Sequence, residues 1–285
     1  MRVAGNDFNR SELAGAFGDL GTLIPFVVGY ITINRLDPQG VLFGFGVLAL
    51  ATGLYFRTPM PVQPMKAIAS VAVTRPEVVT PGAIFIAGIV TGIFWLVMGL
   101  SGGVSWLAAL TARPVVRGII LGLGLSFLVE GIHFMQRGPL IATAAVVLTF
   151  LLLGRPRVPA MPVLLGYGSL MALSLDSTLA RDLATTTPGV RFPTLHAPAL
   201  SWTDAVTGTL VLALPQAALT LGNAIIATAS ENNELFPDRA VSVRLLALDH
   251  GIANLIAAPL GGVPMCRGAG GMAGHVRFGA HTGGG

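Results

Sequence analysis

Arg57-Thr58-Pro59-Met60-Pro61-Val62-Gln63-Pro64-Met65-Lys66-Ala67-Ile68-Ala69-Ser70 decides how this chain folds. Prolines at 59, 61 and 64 forbid a continuous helix, because each lacks an amide donor and pushes its predecessor out of helical geometry. Apolar sequence flanks the stretch on both sides, so it lies at membrane depth. Non-helical backbone is tolerated there only where protein or water covers it. A helix can restart near Pro64 or Met65, since proline suits a first helical turn. Its unsatisfied N–H groups and positive dipole end then point into the protein. Lys66 adds a full charge to that turn, and Gln63 adds an amide donor. Together they describe an anion site.

The rest of the chain supports membrane depth. Of 285 residues, 53% are hydrophobic and 11% charged, with mean hydropathy +0.76. A soluble domain carries about 25% charged residues. The apolar runs are Leu13–Ile33, Val41–Phe56, a short Met65–Thr74, Gly82–Leu100, Val116–His133, Pro139–Leu153 and Pro159–Leu175. A polar stretch, Asp176–Thr203, precedes Asp204–Thr228, Val241–Pro259 and a short Gly268–Phe278. These predict an all-α polytopic membrane protein of about ten spans. The basic residues, all Arg except Lys66, are scattered singly between the runs, which fits membrane flanks and not a nucleic-acid face. With the N-terminus cytoplasmic, inside loops hold Arg2, Arg10, Arg57, Arg113, Arg117, Arg155, Arg157, Arg239 and Arg244. Outside loops hold Arg35, Arg75, Arg137, Arg181 and Arg191, so the excess favours N-inside. No cleavable leader is read at the N-terminus. A lone cysteine, Cys266, excludes an internal disulfide and a cysteine metal cluster.

A second broken segment lies near the C-terminus: Gly261-Gly-Val-Pro264-Met-Cys-Arg267-Gly-Ala-Gly-Gly-Met-Ala-Gly274. A short helix can start after Pro264, glycines admit close approach to backbone N–H groups, and Arg267 offers planar donors for an oxyanion. A weak repeat links the two segments. Leu20-Gly21 precedes Pro59-Met60, and Leu221-Gly222 precedes Pro264-Met265. Seven runs come before the second copy, so it enters the membrane inverted, and the two half-helices are expected to meet near the midplane. Inverted repeats with broken helices at matching places mark many secondary transporters.

Other polar residues at membrane depth are candidates by position. Asp19 lies in the first span, Gln216 and Asn223 in the eighth, and Asp249, His250 and Asn254 in the ninth. A carboxylate there either relays a proton or pairs with Lys66 or Arg267. His250 reads first as a satisfied core residue and second as a proton carrier. Glu130-x-x-His133 has di-metal spacing, but no second copy exists, so no metal or other cofactor is expected. Gly88/Gly92, Gly99/Gly103 and Gly118/Gly122 read as close helix packing. Enzyme motifs such as His-Glu-x-x-His and Gly-x-Ser-x-Gly are missing, so the chain is not expected to be an enzyme. The expected substrate-binding set is Gln63, Met65, Lys66, Gln216, Asn223, Cys266, Arg267 and Gly268, with Asp19, Asp249 and His250 as a proton relay or ion pairs.

Four phrases carry a family resemblance: Gly18-Asp-Leu-Gly-Thr-Leu-Ile-Pro-Phe26, Pro61-Val-Gln-Pro-Met-Lys-Ala67, Thr220-Leu-Gly-Asn223 and Pro264-Met-Cys…Gly268-Ala-Gly-Gly271. From about residue 11 onward the chain resembles the molybdate transporter family, a branch of the sulfate-permease-like superfamily. The resemblance implies a secondary transporter of a tetrahedral oxyanion, molybdate or sulfate, coupled to protons. It implies two inverted seven-span repeats with a core domain moving against a gate domain. Residues 1–200 would form the first repeat, with core spans 11–101, gate spans 113–175 and an external loop 176–203. Residues 204–285 would hold only the core spans of a second, incomplete repeat, so the chain is expected to be truncated. Where the family often has His after Pro-x-Cys, this chain has Arg267, a fixed cation instead of a titratable group. The expected setting is a plasma membrane and the expected assembly a homodimer. A non-transporting scaffold or inactive fragment is the alternative from another class.

Overall fold

The computed structural model describes residues 1–110, 113–136, 138–152, 160–186, 192–195 and 198–285. The expectations placed on Arg137, Arg155, Arg157, Pro159 and Arg191 fall outside them, as do the side chains of Arg113 and Glu130.

A short antiparallel hairpin, β1 (Arg2–Val3) and β2 (Asn6–Asp7), leads into α1 (Arg10–Ala16), capped by the Asn9 side chain. After a break, α2 (Leu20–Thr32) continues at 46° to α1. Asp19 occupies the cap position of α2 but makes no side-chain cap bond, which leaves its carboxylate for another partner. α3 (Pro38–Phe56) opens with Asp37 and Pro38, a good N-cap and first-turn pair. The chain then runs extended through β3 (Gln63–Pro64) into α4 (Lys66–Thr74). α5 (Pro81–Ser101) starts at a Thr80 cap and stops at Gly102, whose positive φ of 77° suits glycine. α6 (Gly103–Ala109), α7 (Arg113–Met135), α8 (Pro139–Leu152), α9 (Ala160–Leu175) and α10 (Leu179–Thr185) follow.

From Trp202 to Leu235 the backbone is one helical run of 34 residues. Within it α11 (Trp202–Val206), α12 (Leu214–Leu219) and α13 (Thr228–Leu235) are joined by two π-helical segments, Thr207–Ala213 and Thr220–Ala227. Pro215 lies between these wide-turn segments and removes an amide donor from the regular ladder. α14 (Val243–Ala257) begins at the Ser242 cap, and β4 (Met265–Cys266) leads to α15 (Ala269–Arg277).

Each expected apolar run contains a helix. Among the described residues, four helices are long and apolar enough to cross a membrane alone. Counting the bent pairs α1–α2 and α9–α10 as single spans raises this to six. The eighth run extends past its expected end at Thr228 to Leu235. The second broken segment does not pass straight from Pro264 into helix: β4 intervenes and α15 starts at Ala269.

The core is centred on the broken segments. Tyr30, Val41, Met65, Ile68, Ile84, Ala87, Val263, Met265 and Cys266 share one buried cluster. α5, α14 and the first π segment pack backbone to backbone: a Cβ on Gly251 would come 2.7 Å from Leu96 N, and one on Gly208 would come 2.6 Å from Ala83 O. α15 is held against α1 at its far end. The Glu12 carboxylate accepts from the His281 and Thr282 N–H groups at 3.0 and 3.1 Å, and Asp7 N–H donates to Thr282 Oγ1 at 3.0 Å.

Candidate functional site

The two broken segments meet through their backbones. Pro64 cannot donate and Pro264 cannot continue a helix, so each segment stays extended for a few residues before its helix begins. β3 and β4 pair antiparallel, Gln63 opposite Cys266 and Pro64 opposite Met265. Met65 N–H adds a bond to Pro264 O at 2.8 Å. This two-residue ladder satisfies extended backbone far from water. It also sets the starts of α4 and α15 on either side of one crossing point.

Gln63 is fully buried at that crossing. Its Nε2 donates to Asp19 Oδ2 at 2.6 Å, and its Oε1 is buried with no hydrogen-bond partner. Both glycines of the α15 start are shaped by it. A Cβ on Gly268 would collide with Gln63 Oε1, and a Cβ on Gly271 would collide with Gln63 Nε2 and come 2.9 Å from Asp19 Oδ2. The break between α1 and α2 makes this approach feasible. Gly18 packs on the Gly274 backbone, so Asp19 is carried onto the first turn of α15.

The eighth run supplies the other polar groups. Gln216 Oε1 accepts from Ala67 N–H at 2.8 Å, in the first turn of α4, and Gln216 Nε2 donates to Thr220 Oγ1 at 2.9 Å. Asn223, 3% exposed, lies beside Gly268, and its Oδ1 is buried without a partner. The π segment from Thr220 to Ala227 widens the helix here, a feature that recurs at functional sites. Lys66 is the first residue of α4; its Nζ is shut from solvent, within electrostatic reach of Asp19 and Cys266.

Arg267 faces elsewhere. Its guanidinium is buried and forms a two-point pair with Asp249, Nε to Oδ2 at 2.8 Å and Nη2 to Oδ1 at 3.0 Å. Nη1 donates to Pro61 O at 3.4 Å, tying the second segment to the first. Arg267 N–H donates to His250 Nε2 at 3.1 Å, so the other ring nitrogen carries the hydrogen that reaches Leu246 O at 2.6 Å. An imidazole that accepts at Nε2 is neutral. Asn254 donates to Met265 O and accepts from Met265 N–H, both at 2.8 Å, so α14 holds β4 from its outer side. Met65 and Cys266 place their side chains in the core and serve the crossing through backbone; the Cys266 thiol faces Pro64 O at 3.7 Å.

Two cavities lie toward opposite ends of α3. One of about 160 Å³ is lined by Asp19, Pro59, Pro61, Val62 and His275 and reaches Gly53 near the end of α3. The other, about 280 Å³, is lined by Arg35, Asp37, Phe85 and Gly261 at the start of α3. The nineteen residues of α3 separate their outer ends by about 28 Å at 1.5 Å per residue. Of the expected set, the structure brings together Gln63, Lys66, Asn223, Gln216, Gly268 and Asp19. Arg267, Asp249 and His250 form a separate buried group. His275 is not among the residues expected from sequence; it lies one residue past the glycine-rich run that ends at Gly274.

The family model for the "Molybdate transporter of MFS superfamily" matches residues 11–127 and 208–285. Molybdate transporter 2 of Arabidopsis thaliana is 33% identical over 324 aligned positions, covering 96% of this chain and 68% of the relative. Molybdate transporter 1 of Arabidopsis thaliana is 28% identical, covering 96% and 69%. Molybdate transporter 1 of Chlamydomonas reinhardtii is 27% identical, covering 96% and 74%. Among solved structures, the transmembrane domain of the cyanobacterial bicarbonate transporter BicA superposes with a TM-score of 0.58 at 17% identity, over 98% of this chain and 80% of that one. That likeness concerns the fold.

Proposed function

Because this chain belongs to the molybdate transporter family, we propose that it binds molybdate between the starts of α4 and α15 and carries it across a membrane. The observation that carries this reading is the β3–β4 ladder, which gathers two helix N-termini, Lys66, Gln63 and Asn223 at one buried crossing, beside a cavity lined by Asp19, Pro61 and Val62.

Charge supports a dianion. Each helix N-terminus contributes about +0.5, and Lys66 contributes a full charge. Arg267 adds none to the site, because Asp249 neutralises it. In this reading Lys66, Asn223, Gln63 and the amides of the Gly268 turn hold the oxyanion. Gln216 fixes the first turn of α4, and Arg267 with Asp249 fixes the approach to α15. Met65 and Cys266 act through the ladder. Sulfate has the same charge and shape as molybdate, so selection between them rests on the size of the enclosure.

The transport cycle we infer moves a core body, spans 11–101 with residues 204–285, against gate spans 113–175. Residues 1–200 form one repeat and 204–285 the beginning of its inverted partner. The antiparallel ladder supports this, since two equivalent strands related by a two-fold axis pair in that way. We place the N-terminus in the cytoplasm of a cell whose plasma membrane holds the protein as a homodimer, with transport driven by protons.

Binding of radiolabelled molybdate to the purified protein, with sulfate as competitor, tests the site. Lys66→Ala is expected to weaken binding at least tenfold, about 1.4 kcal/mol. Unchanged affinity in that variant sinks the assignment.

A further inference from the structure

We propose that Asp19 is the proton acceptor that couples oxyanion binding to acid, and that it acts by turning the Gln63 amide around. The inference rests on the oxyanion reading above.

The observed arrangement has the wrong polarity for an anion. Gln63 spends its donor on Asp19 and turns a buried, unpartnered acceptor oxygen toward Gly268 and Asn223. Asp19 itself lies over the first turn of α15, so its carboxylate already occupies the dipole end that an oxyanion needs. Charge makes the same point. Lys66 and two helix N-termini supply about +2, and an ionised Asp19 reduces this to about +1. An incoming dianion then leaves the crossing with a net charge of about −1, at a depth where unbalanced charge is costly.

One proton resolves both conflicts. A protonated Asp19 is a donor, so its O–H bonds to Gln63 Oε1 once the amide has rotated by half a turn. Gln63 Nε2 then faces Gly268 and Asn223, where it donates to the oxyanion. The proton comes from water and stays on the Asp19 carboxyl; no other bond changes. The charge of the occupied crossing becomes neutral.

The groups facing Asp19 fit this assignment. His275 of α15 lines the same cavity, and Lys66 of α4 and Cys266 of β4 lie within electrostatic reach. Thr22 of α2 and Gln63 are its hydrogen-bond neighbours. α1 and α3 present Ala16, Phe45, Ala49 and Gly53 to the cavity, and Gly283 and Gly285 complete its rim. Asp249 and His250 are unsuited to the task, since both are committed to Arg267. His275 holds Gly15 O through Nδ1 at 2.7 Å and serves as a neighbour that shifts the midpoint.

The test is molybdate binding to the full purified chain between pH 5.5 and 8, with proton uptake followed by a dye in weak buffer. The wild type is expected to take up one proton per oxyanion, with affinity falling about tenfold per pH unit above the midpoint. Asp19→Asn, which can either donate to or accept from Gln63, is expected to bind with less than about twofold pH dependence and no proton uptake. Asp19→Glu is expected to keep the uptake at a shifted midpoint, and His275→Gln is expected to keep it as well. Proton uptake that survives in Asp19→Asn, or is lost in His275→Gln while binding persists, overturns the proposal. So does an Asp19→Asn chain that no longer binds at any pH while Asp19→Glu does. Failure of the wild type to bind at every pH overturns the oxyanion reading itself.

Discussion

α5 and α14 meet through their glycines, whereas among the described residues Gly118 of α7 and Gly166 and Gly168 of α9 face open space. A Cβ on Gly92 would come 2.9 Å from Leu255, and one on Gly99 would come 2.7 Å from Leu248. The same addition at Gly118, Gly166 or Gly168 finds no atom within 4 Å among the described residues. The pattern Gly-x-x-x-Gly therefore has two outcomes in one chain. Gly88/Gly92 packs closely, as expected, while a methyl at Gly118 finds open space among the described residues. Small residues permit close approach but do not supply a partner. In the first body the partner is α14, fixed by Arg244, which donates to the carbonyls of Gly99 and Leu100 at 2.9 and 3.2 Å at the end of α5. Every residue gathered at the crossing is carried by this tight body or by the segments sewn to it. Precise placement of buried polar groups needs such a rigid frame.

The largest break in this comparison is expected at Asp249. Asp249→Asn leaves the buried Arg267 guanidinium without its counter-charge, which costs about 3–5 kcal/mol. The thermal midpoint in detergent should fall sharply, and oxyanion affinity should fall with it as the approach to α15 loosens. An unchanged midpoint would mean that the pair does not hold β4 and α15 in place. A smaller loss is expected at Gly251→Ala. Its Cβ meets Leu96 backbone, so α5 and α14 must separate slightly, at about 1–3 kcal/mol. A midpoint equal to wild type would show that the two helices are not locked together.

The sequence made one half of this comparison legible. Prolines and glycines around Pro59–Lys66 and Pro264–Gly274 mark broken spans because they remove donors and relax backbone limits, and both segments do come together. Gln63, Lys66, Asn223 and Gly268 were readable for the same reason: polar or small residues at membrane depth need a purpose. The ladder was not readable, since two-residue strands have no periodicity. Nor was the orientation of Arg267. The sequence leaves Arg267 as an oxyanion ligand or as the partner of a membrane carboxylate, and the fold decides for Asp249, eighteen residues earlier. The π segments at Thr207–Ala213 and Thr220–Ala227 left no mark beyond Pro215, because a change of one residue per turn barely alters an apolar pattern.

The smallest effect is expected at Gly118→Ala. Gly118 lies inside α7, where glycine costs about 0.8–1.0 kcal/mol relative to alanine through backbone entropy. Among the described residues no neighbour opposes the added methyl. The thermal midpoint should therefore rise slightly, opposite in sign to Gly251→Ala although the chemical change is identical. Gly118→Leu sharpens the point, because it adds bulk at nearly the same gain in helix preference. If the leucine variant is as stable as the alanine variant, α7 faces lipid there. If leucine destabilises where alanine does not, another helix packs against α7 at Gly118.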